Sequence, residues 1–184
     1  MILPALLFAT SLLSGATTAE IKQEAQDAIL KLQKHLQKPL KANLKKGGPL
    51  QAANFCSTQA QSITHEINTS FARETRVHRT SLKYRNNDNS PKSDEREVLE
   101  QMQKEFDTGK KLPQLLVKKI YANTYKVYKP IFINKGVCLA CHGDATTRDP
   151  EAYKDIKFHY PQDKAINYKM HDLRGAFVVK IVLR

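Results

Sequence analysis

The sequence has no tryptophan and only three cysteines among its 184 residues, so a disulfide framework cannot be what holds the fold together. Glycine and proline, with 7 and 8 residues, are too scarce for a collagenous or low-complexity chain. There is no internal repeat and no glycine-rich nucleotide-binding loop. With 41% apolar and 26% charged residues, the chain has the composition of one globular domain that can bury its own core.

Acidic residues are also few, 18 against 30 Lys and Arg, which gives a net charge of +12. This excess of positive charge makes nucleic acid, anionic lipid and acidic proteins candidate partners. The basic residues are scattered, and the run from Lys38 to Lys46 has no interleaved aromatic side chains for stacking on bases. We therefore expect no nucleic-acid partner, and the sequence does not specify an acidic protein or a lipid surface.

The first 19 residues contain no charged side chain. An apolar run from Ile2 to Leu13, followed by small residues, predicts a secretory signal peptide cleaved after Ala16 or Ala19. The run is shorter than the roughly 20 residues that span a bilayer, and no later segment is as apolar. We expect a periplasmic or otherwise exported protein with a signal peptide over 1–19, a single domain over 20–184 and no transmembrane helix after cleavage.

Apolar residues recur with a helical period over 21–36, and Pro39 is expected to end or kink this first helix. A second helix is expected to begin at Pro49, directly after two glycines. Its apolar stripe includes Cys56, which therefore faces inward.

Residues 73–93 are rich in basic and turn-forming side chains and predict a long loop, with Asp94 capping a third helix. Aromatic and β-branched residues over 120–133 predict one or two strands, and alternation over 176–183 predicts another. Helices followed by strands indicate an α+β domain with an antiparallel sheet.

The segment Cys138-Leu139-Ala140-Cys141-His142 is the strongest chemical signal in the chain. Two thiols three residues apart share a helical turn, where they can form thioethers with the vinyl groups of haem, and the adjacent histidine can ligate its iron. The pattern predicts one covalent haem c on Cys138 and Cys141, with His142 as an axial ligand. Two alternatives fit the sequence less well. A zinc site would need a second Cys or His pair, which the chain lacks, and a thiol–disulfide motif would open a helix in a βαβ unit, whereas here the helices precede the strands.

The residues alone leave the opposite axial ligand open. Cys56 is an odd cysteine in an oxidising compartment, which favours a ligand role, but its place on an apolar stripe equally suits a small buried side chain. The methionines Met102 and Met170 and the other histidines, including His171, are the remaining candidates.

Three arginines are candidates to bind the haem propionates, because guanidinium groups match carboxylates; surface positions would suit each of them equally. They are Arg79, Arg85 and Arg174.

Five segments together resemble a family of exported c-type haem domains with a PAS-like fold, found as stand-alone proteins and as bacterial and cyanobacterial sensor modules. The segments are Asn54–Cys56, Arg79–Asn86, Cys138–Gly143, Tyr160–Ala165 and Asp172–Ala176.

The resemblance implies a five-stranded antiparallel sheet with N-terminal helices, and iron ligated by His142 and Cys56. Asn167 and His171 stand where the family pattern has glycine, which leaves open the turn geometry there and a distal-pocket role for His171. The chain ends at the last predicted strand, so it resembles the stand-alone type.

The predicted function is a redox or diatomic-gas sensor, for O2, CO or NO, in which a change at the sixth ligand shifts the domain between two states. The alternative is a periplasmic electron-transfer cytochrome c that keeps both ligands and docks to a redox partner protein. A thiolate ligand lowers the reduction potential and favours the sensor, whereas a methionine would raise it. No acid–base residue of a haem enzyme is identifiable, so we expect no enzymatic activity, and the sequence leaves the oligomeric state open.

Overall fold

The computed structural model describes residues 16–71 and 74–183. Within them it combines helices with one antiparallel sheet, which confirms the predicted α+β class. The helices are α1 (Thr18–Thr69), α2 (Ser93–Asp107), α3 (Leu139–His142) and α4 (Pro150–His159). The strands are β1 (Arg76–Thr80), β2 (Leu116–Tyr121), β3 (Thr124–Phe132) and β4 (Leu173–Val182).

Helix α1 is a helical hairpin of two arms, residues 18–46 and 49–69. Lys31 Nζ donates to Ser70 Oγ at 2.7 Å, which a straight helix of 1.5 Å rise per residue would forbid. The turn is made at Gly47 and Gly48, whose backbone is not helical; Gly48 has φ 67° and ψ −159°, a conformation essentially restricted to glycine. Both arms therefore pack side by side on the sheet.

The strands are ordered β1-β4-β3-β2, and every neighbouring pair is antiparallel. In the central strand β4, Phe177, Val179 and Ile181 pack with the α1 hairpin, whereas Val178 points to the other face and packs with Met102 of α2. This alternation confirms the apolar face predicted for the last strand. The described residues form four strands, against the five that the resemblance implies.

The structure corrects three expectations about where elements begin and end. Pro39 was expected to end or kink the first helix, but it does not end it: the arm continues to Lys46, because packing of the hairpin outweighs the one backbone hydrogen bond that proline removes. The predicted loop 73–93 contains β1, an edge strand whose pairing with β4 is made by backbone groups and tolerates polar side chains. Helix α2 begins at Ser93, so Asp94 lies in its first turn instead of capping it.

Helix α4 was not predicted from the sequence; it begins at Pro150, directly after the capping side chain of Asp149. The predicted signal peptide lies almost entirely outside the described residues. Among the residues that are described, no helix is both long and apolar enough to span a membrane.

Candidate functional site

A cavity of about 260 Å³ lies between the α1 hairpin, the CxxCH segment and α4. Its lining includes all three cysteines, Cys56, Cys138 and Cys141, together with His142. A neighbouring cavity of about 180 Å³ adjoins it and shares His142 with it; the two adjoining cavities are together called the slot. The apolar part of the lining comes mainly from Leu40, Leu44, Ala52, Ala53, Val137 and Ile156.

The CxxCH segment folds as a short 3₁₀ turn, Gly136–Cys138, that continues into α3. This places both thiols of the motif on one turn; they are half-buried and not paired in a disulfide. Burial raises the pKa of the Cys141 thiol to about 11, although Arg85 opposes the shift. In the described ranges, no three His, Cys, Asp or Glu side chains converge tightly enough to chelate a single ion, so a zinc site has no ligand set here.

His142 is oriented by the loop after α4. Its Nδ1 lies 2.9 Å from the carbonyl oxygen of Ala165, and because a carbonyl only accepts, Nδ1 carries the proton. Burial, reinforced by the guanidinium groups of Arg174 and Arg85, holds the pKa of the imidazole well below its usual range. The ring is therefore neutral with its Nε2 lone pair free, the arrangement typical of a metal-ligating histidine.

Arg85 joins this loop to the CxxCH turn. Its Nη2 donates to the carbonyl oxygens of Cys141 at 2.6 Å and Ala165 at 3.3 Å. The same nitrogen lies 3.2 Å from the buried carboxylate of Asp163, whose other oxygen accepts the Ala165 N–H at 2.8 Å. Arg85 and Asp163 thus hold in place the carbonyl that orients His142. The 3.4 Å approach of Arg85 to Nδ1 is only a contact, because both nitrogens are donors.

Arg79 and Arg174 line the same slot as Arg85, and all three arginines are half-buried. The buried Nε atoms of Arg85 and Arg174 have no hydrogen-bond partner among the described residues. Neither Arg79 nor Arg174 forms an ion pair with a described carboxylate. Buried positive charge without a protein counterion suits an anionic ligand in the slot.

Cys56 reaches the cavity from the second arm of α1. Burial raises the pKa of its thiol, and the guanidinium groups of Arg79 and Arg85 partly offset this. Tyr160, which also lines the cavity, donates its hydroxyl to the carbonyl oxygen of Ser57 at 3.3 Å and so links α4 to this arm.

The other candidates for the sixth ligand lie away from this lining. Met102 is buried on the opposite face of the sheet, and Met170 and His171 are exposed. Asn167 and His171 have φ of 62° and 72°, so both adopt the left-handed backbone for which the family pattern uses glycine. His171 is therefore a turn residue in this structure.

Asp163, Ala165 and Tyr160 were not predicted as site residues, although all three lie in a segment that carries the resemblance. Asp163 and Ala165 act through a carboxylate and a backbone carbonyl, about twenty residues from the histidine that they position. No local pattern marks such residues, because only the folded loop brings them to His142.

A family model described as Tll0287-like matches residues 14–182 of the chain. The crystal structure of the cyanobacterial heme-protein Tll0287 is similar, with a TM-score of 0.65 and 24% sequence identity. The match covers 92% of this chain and 98% of that one, and at this identity it shows the fold. The comparison with curated proteins found no match.

Proposed function

The chain belongs to the Tll0287-like family, and from this premise we propose that it is an exported c-type haem protein that senses redox state or a diatomic gas through its sixth iron ligand. One observation carries the proposal: two free thiols on a single turn and a neutral, Nδ1-protonated histidine line the same cavity. The similar solved structure is that of a heme-protein, and the PAS-like character implied by the resemblance is part of the proposal.

The residues present fit a haem in three respects. Cys138 and Cys141 line the cavity as free thiols that would form the thioether bonds, and apolar side chains supply the walls. His142 offers Nε2 as a ligand. Arg79 and Arg174 line the slot without a carboxylate partner among the described residues, which leaves their charge for the two propionates.

Bound there, the group would supply a one-electron couple and a coordination site for a small ligand. His142 is held at one side by Ala165, Arg85 and Asp163, a set of contacts that fixes its orientation. Cys56 is brought to the cavity by a different element, the second arm of α1. Cys56 would hold the oxidised group more strongly than the reduced one, because a thiolate is an anionic donor, so the position of this arm would depend on the redox state of the site.

An electron-transfer cytochrome is the second candidate, and one observation favours it. Val137 lines the cavity and is 49% exposed, so the edge of the site next to Cys138 opens to solvent. A carrier would keep Cys56 bound in both oxidation states, whereas a sensor would release it.

Covalent attachment is tested by acid–acetone extraction after expression with a c-type maturation system. We expect haem to stay with the denatured protein, and the double variant Cys138→Ala/Cys141→Ala to lose it. Haem that is extracted from the unmutated protein would contradict the assignment.

Replacement of Cys56 by Met tests the axial ligand. Because an anionic donor stabilises the ferric state more than a neutral thioether does, we expect the reduction potential to rise markedly and the ferric spectrum to change. The exposed Met170→Leu is the matched control and should change neither. The carbon monoxide difference spectrum of the reduced, unmutated protein then separates the two functions, since binding requires a released sixth ligand.

Export is part of the proposal, and the start of α1 favours one of the two cleavage sites. Thr17 caps this helix, with its Oγ1 accepting the N–H of Glu20 at 3.2 Å and the Glu20 carboxylate accepting the N–H of Thr17 at 2.7 Å. Cleavage after Ala16 keeps this capping box, whereas cleavage after Ala19 removes Thr17 and with it both hydrogen bonds. We expect Thr17 as the mature N-terminus; mass spectrometry of secreted protein that begins at Met1 or Glu20 would contradict this.

A further inference from the structure

Charge is unevenly distributed along the α1 hairpin. No Asp or Glu occurs between Asp27 and Glu66. The hairpin tip, residues 38–50, instead carries four exposed lysines, none within ion-pair distance of a carboxylate in the described part of the chain. They are Lys38, Lys41, Lys45 and Lys46.

This cationic tip borders the cavity described above. Leu40 and Leu44 line the cavity, and Lys41 and Lys45 directly follow them on the helix with exposed side chains. Consecutive helical residues are about 100° apart, so the tip turns its leucines toward the cavity and its lysines toward solvent. The half-exposed Val137, in the same lining, marks where the cavity opens.

We propose that the hairpin tip is the docking surface for an acidic face of a redox partner protein, which exchanges one electron with the group held in the cavity. The inference rests on the proposed function, because both a redox sensor and an electron carrier must exchange electrons. Encounters of this kind use small interfaces steered by complementary charge, and a lysine cluster beside the solvent-exposed edge of a redox site provides such steering.

The tip is poorly suited to a lipid surface. Helices that bind membranes bury a continuous apolar face that often includes aromatic residues. Residues 38–50 contain no aromatic side chain, and Leu40 and Leu44 are engaged in the cavity lining. Leu50, 44% exposed, is the largest apolar side chain that the tip turns to solvent. Charge complementarity to a protein therefore accounts better for this surface.

A first experiment measures docking without any haem signal. Fluorescein-labelled oligoglutamate is titrated with the holoprotein at low ionic strength and followed by fluorescence anisotropy. The variant Lys41→Glu/Lys45→Glu should weaken binding at least about tenfold. The matched control is Lys118→Glu/Lys119→Glu, which makes the same charge change at exposed positions of β2 and should bind like the unmutated protein. Equal losses in both variants, or none in the tip variant, overturn the proposal.

A second experiment measures electron transfer. In a stopped-flow instrument, one electron passes from the reduced holoprotein to ferricyanide, which becomes ferrocyanide while the protein becomes oxidised. We expect the tip variant to react about tenfold more slowly and the control to be unchanged, with the difference lost at high salt. With a cationic cobalt(III) phenanthroline complex as oxidant, the tip variant should react faster. Unchanged rates with both oxidants overturn the proposal.

Co-sedimentation with phosphatidylglycerol vesicles tests the lipid alternative. Tip-dependent vesicle binding without an effect on the ferricyanide rate would replace the protein partner by a membrane and overturn the inference. Loss of haem from the protein in the extraction assay would contradict the proposed function. The two failures are distinguishable, because the oligoglutamate titration reports separately whether the tip binds acidic surfaces.

Discussion

The carboxylate of Glu95 is fully buried, and its removal is expected to destabilise the fold in a pH-dependent way. Glu95 accepts from Lys126 Nζ at 2.7 Å, contacts His78 Nε2 at 3.3 Å and accepts the Lys92 N–H at 3.2 Å. Burial alone would raise the pKa of Glu95, but the hydrogen bonds from His78 and Lys126 outweigh it and lower the pKa to about 2. The network ties α2 to β1 and β3, one residue from Arg79 of the candidate site.

The magnitude follows from linkage. A carboxyl whose pKa is 4.5 when unfolded and about 2 when folded contributes roughly 3 kcal/mol to the free energy of unfolding at neutral pH. Because the folded-state pKa is the lower one, this contribution is complete above pH 4.5 and is lost as pH falls toward 2. Glu95→Gln should therefore cost about 3 kcal/mol at pH 7 and less than half of that at pH 3.

Urea denaturation at pH 7 and pH 3, followed by circular dichroism, measures both values. Glu100→Gln is the matched control on the same helix, because its exposed carboxylate lies 4.0 Å from Arg96 and should contribute at most about 0.5 kcal/mol. A Glu95→Gln loss below about 1 kcal/mol, or one equally large at both pH values, would refute the electrostatic reasoning.

Two further predictions concern the surroundings of His142 and the left-handed turns. Asp163→Asn leaves Arg85 without its buried counterion, so we expect the free energy of unfolding, measured in urea, to fall by about 3 kcal/mol and the reduction potential to rise while covalent haem is retained. An unchanged potential would show that the carboxylate does not act on the site. His171→Gly relieves the strain of a left-handed backbone at an exposed position and should stabilise the protein by up to about 1 kcal/mol, whereas Asn167→Gly should stabilise it less because asparagine tolerates this conformation. A lower melting temperature for His171→Gly would contradict the turn assignment.

The parts of the fold that the sequence predicted are those in which apolar periodicity is strong. Both arms of α1 and the last strand have apolar residues at the spacing that packing requires, and the structure buries those residues. β1 was missed because its sequence is mostly polar and its pairing is made by backbone groups. α4 has few buried residues, such as Ala152 and Ile156, but the Asp149-Pro150 pair is an N-terminal helix signal that could have identified it.

The sequence predicted the part of the site whose residues are close neighbours along the chain. CxxCH by itself brings two thiols and a histidine onto one turn, and the structure places them at one cavity with Cys56. What orients His142 could not be predicted, because Asp163 and Ala165 lie on a loop whose position depends on long-range packing. A carbonyl acceptor in particular has no residue type, so no sequence pattern can mark it.

The three arginines show most clearly why residue type alone does not assign a role. In the sequence they are equivalent candidates for propionate binding, yet Arg85 already donates to two carbonyls and lies against Asp163. Its charge is largely committed to holding the CxxCH turn and the histidine loop together. Arg79 and Arg174 line the slot without a carboxylate partner among the described residues, so a buried anion there would gain the most from them. In the proposed haem protein, propionate binding would therefore fall chiefly to Arg79 and Arg174, and positioning of His142 to Arg85.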